Sequence, residues 1–585
     1  MVMCRVSPGP SRFVVHEATC FSVRRHNGGV WSISKMNMIL HGINDADLRN
    51  GDTLAEPLHV AGGELMRFDR VITNPPFSQN YSDEGIPFPE RFQYGWCPTA
   101  GKKADLMFVQ HMVAVLRPGG LVCTVMPHGV LFRGGAEKEI PAGFIEDDLL
   151  EAVIGLAPNL FYGTGIPACV LVLRAKGAKS QERRGRVLFI NADAEYRSGR
   201  AQSYLDPEHV QKIVEAFRRF VDTPAFATVV TQEELAANDF NLNIRRYADN
   251  APPPEPQDVR AHLLGGVPKA EVEAKHRLFA AHGLDPLTLF VQRNETYLDF
   301  APQVARKADL QGVIETDAGV LAREAELSAA FDQWWAAHTE RIVRLPETRD
   351  MMRVRAEFLG SFEEALVPVG LLDRFKIAGA VASWWGEVQF DLKSLVARGF
   401  EGTVEGWVTT ITTAIEEDGG KFDPLDHKLV RYLLPDFLND IADAETEVAR
   451  LDATLKAGEP SGDGDDEGVE DNAEALSALE LKALKRELAQ ARRHLKKMQA
   501  EVALRLVEAH AAMDAAAARG LVLDLLRADL SSTLNMSVTR HRQELVGSFE
   551  NWWDKYRVTL EVVARERDAA GARLKEFVRE LGYAD

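Results

Sequence analysis

The residues with the clearest chemical purpose are Asn74-Pro75-Pro76-Phe77, which directly follow the apolar run FDRVIT at residues 68–73. With proline at about 5% of residues, such a tetrad arises by chance in roughly one chain of this length in a hundred, so it is treated as a signal. An amine attached to a conjugated ring is a weak nucleophile because its lone pair is delocalised. The side-chain carbonyl of Asn74 and a proline backbone carbonyl can accept both amine hydrogens and favour a more tetrahedral nitrogen. The prolines fix φ, so these acceptors are in place before a substrate arrives. Phe77 offers a face on which a planar base can stack once it is swung out of a duplex. The plainer reading is a rigid turn after a strand, in which two prolines only set the chain direction.

Other residues allow a chemical and a structural reading side by side. Asp52, in Gly51-Asp52-Thr53-Leu54, follows a strand position and could simply cap what comes next. Phe161-Tyr162-Gly163-Thr164-Gly165 could be an ordinary loop whose glycines serve a turn. His128 and Arg133 lie between a strand and a helix, with no partner spacing that suggests a metal. The five cysteines are unclustered and form no Cys-x-x-Cys, which points to neither a disulfide framework nor structural zinc, and to a reducing cytoplasm.

These residues need elements to position them. Up to about residue 247 the chain alternates short β-branched runs, helical periods and glycine turns, an α/β texture. Strands are expected at 68–73, 121–126, 150–156 and 168–173, with 187–190 as an addition. A helix over 104–116 should end at the turn Pro118-Gly119-Gly120. Residues 251–257 are a Pro-rich linker, since Ala251-Pro-Pro-Pro-Glu-Pro256 cannot be helical. From 258 to 457 nearly everything reads as helix; 458–474 is an acidic, Gly-rich loop with too little apolar surface to fold; 475–585 is helical again. Within it Leu481, Leu484, Leu488, Ala491, Leu495, Met498 and Val502 recur at alternating three- and four-residue steps, as in a coiled coil or an amphipathic helix of a bundle. Lys482, Lys485, Arg486, Arg492, Arg493, Lys496 and Lys497 make the most concentrated positive stripe, either a solvated face or a surface for DNA or an acidic partner. Three Trp pairs, Trp334-Trp335, Trp384-Trp385 and Trp552-Trp553, are expected core anchors.

The tetrad and its flanks resemble the S-adenosylmethionine-dependent, adenine-specific DNA methyltransferases, in particular the modification subunit of type I restriction–modification systems. The blocks that carry the likeness are Lys35-Met-Asn-Met-Ile-Leu-His-Gly-Ile43, Gly51–Leu54, Asn74–Phe77, Met126-Pro-His-Gly-Val-Leu-Phe-Arg-Gly-Gly135, Asn159–Pro167, Asn238–Ile244 and Leu263–Glu273, about residues 27 to 290 in all. The resemblance implies a doubly wound, Rossmann-like methyltransferase sheet over residues 27–250. It implies that Asn74, Pro75, Pro76 and Phe77 are catalytic, that Asp52 contacts the cofactor's adenine, and that Phe77, Phe161 and Tyr162 wall the target-base pocket. It further implies S-adenosyl-L-methionine as methyl donor without a metal, and DNA, a specificity subunit and a restriction subunit as partners.

Residues 1–26 resemble nothing in that family, and no Gly-x-Gly turn follows a strand upstream of Lys35. The expectation is therefore an N-terminally truncated member or one half of a split enzyme, inactive by itself, whose first strands are missing and whose strand 68–73 is left as an unpaired edge. A non-catalytic remnant that binds partners or DNA is the alternative, and methylation of protein glutamine or RNA a lesser one. The net charge of −19, from 87 acidic and 68 basic residues, argues against a global positive field and for a partner that shares the grip on DNA. No run approaches 18 uninterrupted apolar residues, so a membrane span is excluded.

Overall fold

Leu150–Leu156 is buried at every position. A strand with both faces covered belongs inside a sheet flanked by other layers, which is why its sequence is apolar apart from Glu151, a buried carboxylate paired with Arg174 and Arg183. The computed structural model describes residues 2–5, 14–20, 28–40, 43–101, 103–162, 164–251, 255–416, 423–458, 478–581 and 583. The chain divides into two compact units, residues 1–257 and 258–585.

The first unit is built on a nine-stranded sheet. Its strands and main helices are β1 (Val2–Arg5), β2 (Val14–Cys20), α1 (Gly28–Leu40), β3 (Arg49–Gly51), β4 (Phe68–Thr73), α2 (Asp105–Ala114), β5 (Leu116–Pro127), α3 (Glu139–Glu146), β6 (Leu150–Leu156), β7 (Ala168–Arg174), β8 (Arg186–Ala192), α4 (Pro207–Arg219) and β9 (Ala227–Thr231). The sheet order is β9-β8-β6-β7-β5-β4-β1-β2-β3. Strands β4 and β5 pair in parallel, with Val71 opposite Val122 and Thr73 opposite Thr124. Strand β7 runs antiparallel between β5 and β6, and β8 is parallel to β6. Thus β4, β5, β6 and β8 all end at one edge of the sheet, the edge where doubly wound sheets bind ligands.

Two expectations need correction. Strand β4 is not an unpaired edge: Val2, Met3 and Cys4 lie antiparallel against Ile72, Val71 and Arg70, β1 continues antiparallel into β2, and β2 runs parallel to β3. An open strand edge presents a row of unsatisfied amides and carbonyls, and the short β-prone segment Val2–Arg5 satisfies them. The place of a first parallel strand is therefore filled by an antiparallel one. Likewise, Pro118-Gly119-Gly120 does not precede β5 but lies within it. The register against β4 shifts between Phe68 and Arg70, and Gly119 takes a positive φ of 81°, so the glycines absorb a bulge.

The second unit is mainly helical, with α5 (Ala318–Val343), α6 (Met351–Leu366), α7 (Arg374–Glu416), α8 (Pro435–Gly458), α9 (Ala478–Ala511), α10 (Ala515–Tyr556) and α11 (Leu560–Glu580). It is not helix throughout. Val267–Pro268, Phe290–Gln292 and Tyr297–Phe300 form a small antiparallel sheet, entered through Gly265 and Gly266, both at positive φ. The Trp pairs anchor cores as expected. Trp334, Trp335, Trp384 and Trp385 pack with Phe358 in one cluster, and the Trp384 indole N–H reaches the Leu526 carbonyl at 2.9 Å. Trp552 packs with Phe279, Phe290 and Phe549 in another. The expected acidic loop at 458–474 lies outside the described residues apart from its first residue, which closes α8.

Helices α8 and α9 pack as an antiparallel pair: Arg492 meets Asp452 at 2.7 Å, and Gln499 meets Glu445 at 3.4 Å. The expected seam faces inward, with Leu488 and Val502 buried and Leu495 and Met498 packed on the bundle core. The seam is thus a two-helix coiled coil along part of its length and a bundle contact at its end.

A buried histidine pair gives this unit a pH dependence. His282 Nδ1 lies 2.9 Å from His541 Nδ1, and His282 Nε2 lies 2.8 Å from Glu324. Burial, then Lys376 and His282, pull the His541 pKa down to about 4; burial also lowers that of His282. Unfolded histidine titrates near 6.5, so between pH 6.5 and 4 the unfolded chain binds more protons and stability falls with pH. Going from pH 7 to 5 should remove on the order of 2 kcal/mol through His541. Thermal unfolding followed by circular dichroism should show the drop, and His541→Gln should shrink it; equal pH dependence in the two proteins would refute it.

Candidate active site

The tetrad begins where β4 ends, at the ligand-binding edge. Just before it, the buried Thr73 hydroxyl donates to Thr124 Oγ1 at 2.6 Å, which fastens the end of β4 to β5. Asn74 is exposed, while Pro75, Pro76 and Phe77 are half-buried. The chain then reverses at Ser78, whose φ of 53° lies in the left-handed region.

That turn is held by Asp105 and Glu137, which sequence reading alone did not single out, and by Arg133, which it named without a role. The Ser78 amide donates to Asp105 Oδ1 at 2.9 Å, and the Ala104 amide donates to the Gln79 carbonyl at 3.0 Å. Asp105 opens α2 and is 1% exposed; its other oxygen accepts from Arg133 at 2.7 Å. Arg133 also donates to Glu137, likewise 1% exposed, at 2.9 Å, and Lys103 lies 2.6 Å from the far oxygen of that carboxylate. Burial works against the Arg133 charge, but hydrogen bonds to Glu137 and Asp105 outweigh it and raise its pKa. Arg133 thus ties the segment after β5 to the turn after β4. Its only signal in the sequence was its place in the block at 126–135; for Asp105 it was an acidic residue at a helix start.

The remaining expected residues fall into two groups. Phe161 stands beside Phe77, ring centroids 6.2 Å apart and planes at 68°, on the loop that returns β6 to β7 over the same edge. Tyr162 points away into solvent, 97% exposed. His128 follows β5 with its amide on the Pro167 carbonyl, and burial lowers its pKa. Asp52 follows β3, which runs in the same direction as β4, so it shares the edge but stands three strands away, about 14 Å across the sheet. Its Oδ1 accepts the Leu54 and Ala55 amides at 2.8 and 3.1 Å, so it caps the next turn. Arg91, buried, fixes that turn by donating to the Thr53 and Leu54 carbonyls and to His111 Nδ1. Burial and the Arg91 charge hold the His111 pKa at about 3, so this ring is a neutral acceptor.

An S-adenosylmethionine site would require a cradle of backbone amides beside β4. The described residues do not supply one. On the side away from β5 the neighbour of β4 is the antiparallel β1, so among the described residues no strand-to-helix turn opens directly beside β4 there. A cavity of about 610 Å³ lined by Leu65, Arg67, Tyr94 and Arg117 opens at the opposite edge, where β4 and β5 begin. Asp52 alone supplies one charge-assisted hydrogen bond, about 1.5–3 kcal/mol, whereas even millimolar affinity needs about 4 kcal/mol. Calorimetric titration of the chain with S-adenosylmethionine should therefore show no saturation below about 1 mM. A low-micromolar dissociation constant would overturn this assignment of the edge. Among the described residues, Asp206, Glu208 and His209 form a group with metal-ligand geometry, but Asp206 caps α4 and pairs with Arg197.

Comparison with known proteins bears on the same region. Residues 23–255 match the family model described as N-6 DNA Methylase. The chain is 36% identical over 244 residues to the type I restriction enzyme MjaVIII methylase subunit of Methanocaldococcus jannaschii, covering 39% of this chain and 40% of that one. It is 30% identical over 255 residues to the HindI methylase subunit of Haemophilus influenzae, covering 42% and 53%. A crystal structure of a type I restriction-modification methyltransferase subunit from Streptococcus thermophilus shares 37% identity over 38% of this chain and 47% of that one, with a TM-score of 0.35. The chain spans about 40% of the length of the first M. jannaschii relative. Asn74–Phe77 lie inside the matched span, and residues 23–255 are thus similar to the N-6 DNA methylase family and to curated type I restriction enzyme methylase subunits.

Proposed function

We propose that this chain carries the catalytic edge of an adenine-specific DNA methyltransferase, working as modification subunit of a type I restriction–modification complex. The observation behind this reading is the exposed Asn74 at the end of β4, followed by a turn that a buried Asp105–Arg133–Glu137 network holds rigid. Asn74 and the Pro75 carbonyl accept the two hydrogens of an adenine N6 amine. Phe77, with Phe161 against its edge, receives the flipped base; Tyr162, on the same loop, faces solvent and joins that pocket only by turning inward. S-adenosyl-L-methionine supplies the methyl group in this family, and Asp52 is the residue of this chain suited to its base. Since the described residues lack the amide cradle, this chain alone is inactive and methylates only in a complex in which another polypeptide completes the cofactor site. A specificity subunit reads the DNA sequence, a restriction subunit completes the complex, and the work is done in the cytoplasm. Among the described residues no helix is long and apolar enough to cross a membrane.

A second reading, a partner- or DNA-binding protein without activity of its own, is favoured by the antiparallel strand beside β4. N6-methyladenine mapping in cells that carry the chain, with and without Asn74→Ala, separates the two. Methylation that vanishes with Asn74 supports catalysis, and methylation indifferent to it refutes it.

A further inference from the structure

We propose that the outward face of α9 binds the phosphodiester backbone of duplex DNA. The proposal rests on the reading of the chain as a DNA-modifying protein and extends it to the second unit.

Lys482, Lys485, Arg486, Arg492, Arg493, Lys496 and Lys497 are all exposed. At 3.6 residues per turn they fall within an arc of about 140°, centred opposite the Leu484–Leu488–Leu495 seam, and the stripe runs about 22 Å along the helix. The one acidic residue between them, Glu487, lies at the border of the seam, so no carboxylate interrupts the stripe.

Several cations elsewhere in this unit have work within the fold. Lys428 sits between Asp391 and Asp529, Lys555 pairs with Glu271, and Arg542 pairs with Glu324. In the stripe Arg492 pairs with Asp452. Lys482, Arg486, Arg493, Lys496 and Lys497 make no ion pair with the described residues. Lys482 with Arg486, Arg492 with Lys496, and Arg493 with Lys497 are like-charged neighbours four residues apart, an arrangement that weakens a helix. Arg492–Asp452 offsets one of these pairs, and the other two gain no ion pair among the described residues in return. A polyanion relieves the repulsion, and duplex DNA offers about a dozen phosphate charges over 22 Å. In a chain of net charge −19 this stripe is a local concentration of positive charge, which a polyanion meets on favourable terms.

The test is fluorescence anisotropy of the full chain with a labelled 30-base-pair duplex of arbitrary sequence, over a salt series. Its comparison is the quadruple variant Lys482→Ala, Arg486→Ala, Arg493→Ala and Lys497→Ala. Alanine favours helix, and unchanged far-ultraviolet dichroism establishes that the variant is folded. The variant should lose affinity at 100 mM salt by at least about 100-fold, and its log–log salt slope should fall by about 3 to 4. The proposal is overturned if the natural chain shows no salt-dependent binding, or if the variant binds with the same affinity and slope. It is also overturned if only binding to polyglutamate falls, which would assign the stripe to an acidic protein. Because the measurement needs neither cofactor nor methyl transfer, failure of the methylation reading and failure of this one are separate results.

Discussion

Cells in which Asn74→Ala replaces the natural chain should lack N6-methyladenine at every site the complex modifies. Asn74 is exposed and fixed by its neighbours rather than by its own side chain, so the substitution should leave the unit folded. What it removes is the acceptor that prepares the amine. Removing one preorganised polar group of this kind costs about 100- to 1000-fold in rate, enough to leave sites unmodified within a generation. Long-read sequencing for N6-methyladenine measures the outcome; an unchanged methylation map would remove the tetrad from the chemistry. Phe77 gives a graded companion result. Phe77→Tyr and Phe77→Trp keep a stacking face, whereas Phe77→Ala loses about 1–3 kcal/mol of base stacking. A duplex with 2-aminopurine at the target position reports that loss as weaker fluorescence enhancement.

The largest effect on stability is expected from Arg133→Met. It leaves the carboxylates of Asp105 and Glu137, each 1% exposed, without the cation between them. Breaking a buried pair from one side costs about 3–5 kcal/mol. For a unit of this size that lowers its melting temperature by about 6–20 °C. Arg133→Lys, which keeps the charge but not both hydrogen bonds, should fall between. Calorimetry decides it: a shift under about 1 °C for Arg133→Met would mean that the network does not hold the turn. Since Asp105 also accepts the Ser78 amide, the methylation defect of Arg133→Met should exceed that of Arg133→Lys even below both melting temperatures.

Strands β4 to β8 and the tetrad were legible in the sequence because they depend on local information, while β1, β2, β3 and β9 were not. Leu150–Leu156 is apolar at nearly every position, which signals burial on both faces wherever the strand lies, and two prolines stiffen a turn in any surroundings. The inward seam of α9 was legible for the same reason, since its spacing is set by the helical period alone. Tertiary structure decided what filled the edge of β4, because an open row of amides pairs with any extended segment in reach, here Val2–Arg5. It decided that Asp105 meets Arg133, itself paired with Glu137 four residues on, because the Asp105 contact spans 28 residues of chain and charged groups pair by distance in space, with no period to betray it. It decided too that Phe161 meets Phe77 while its neighbour Tyr162 faces solvent, since consecutive residues on a loop point apart and only the packing beneath selects which one turns inward.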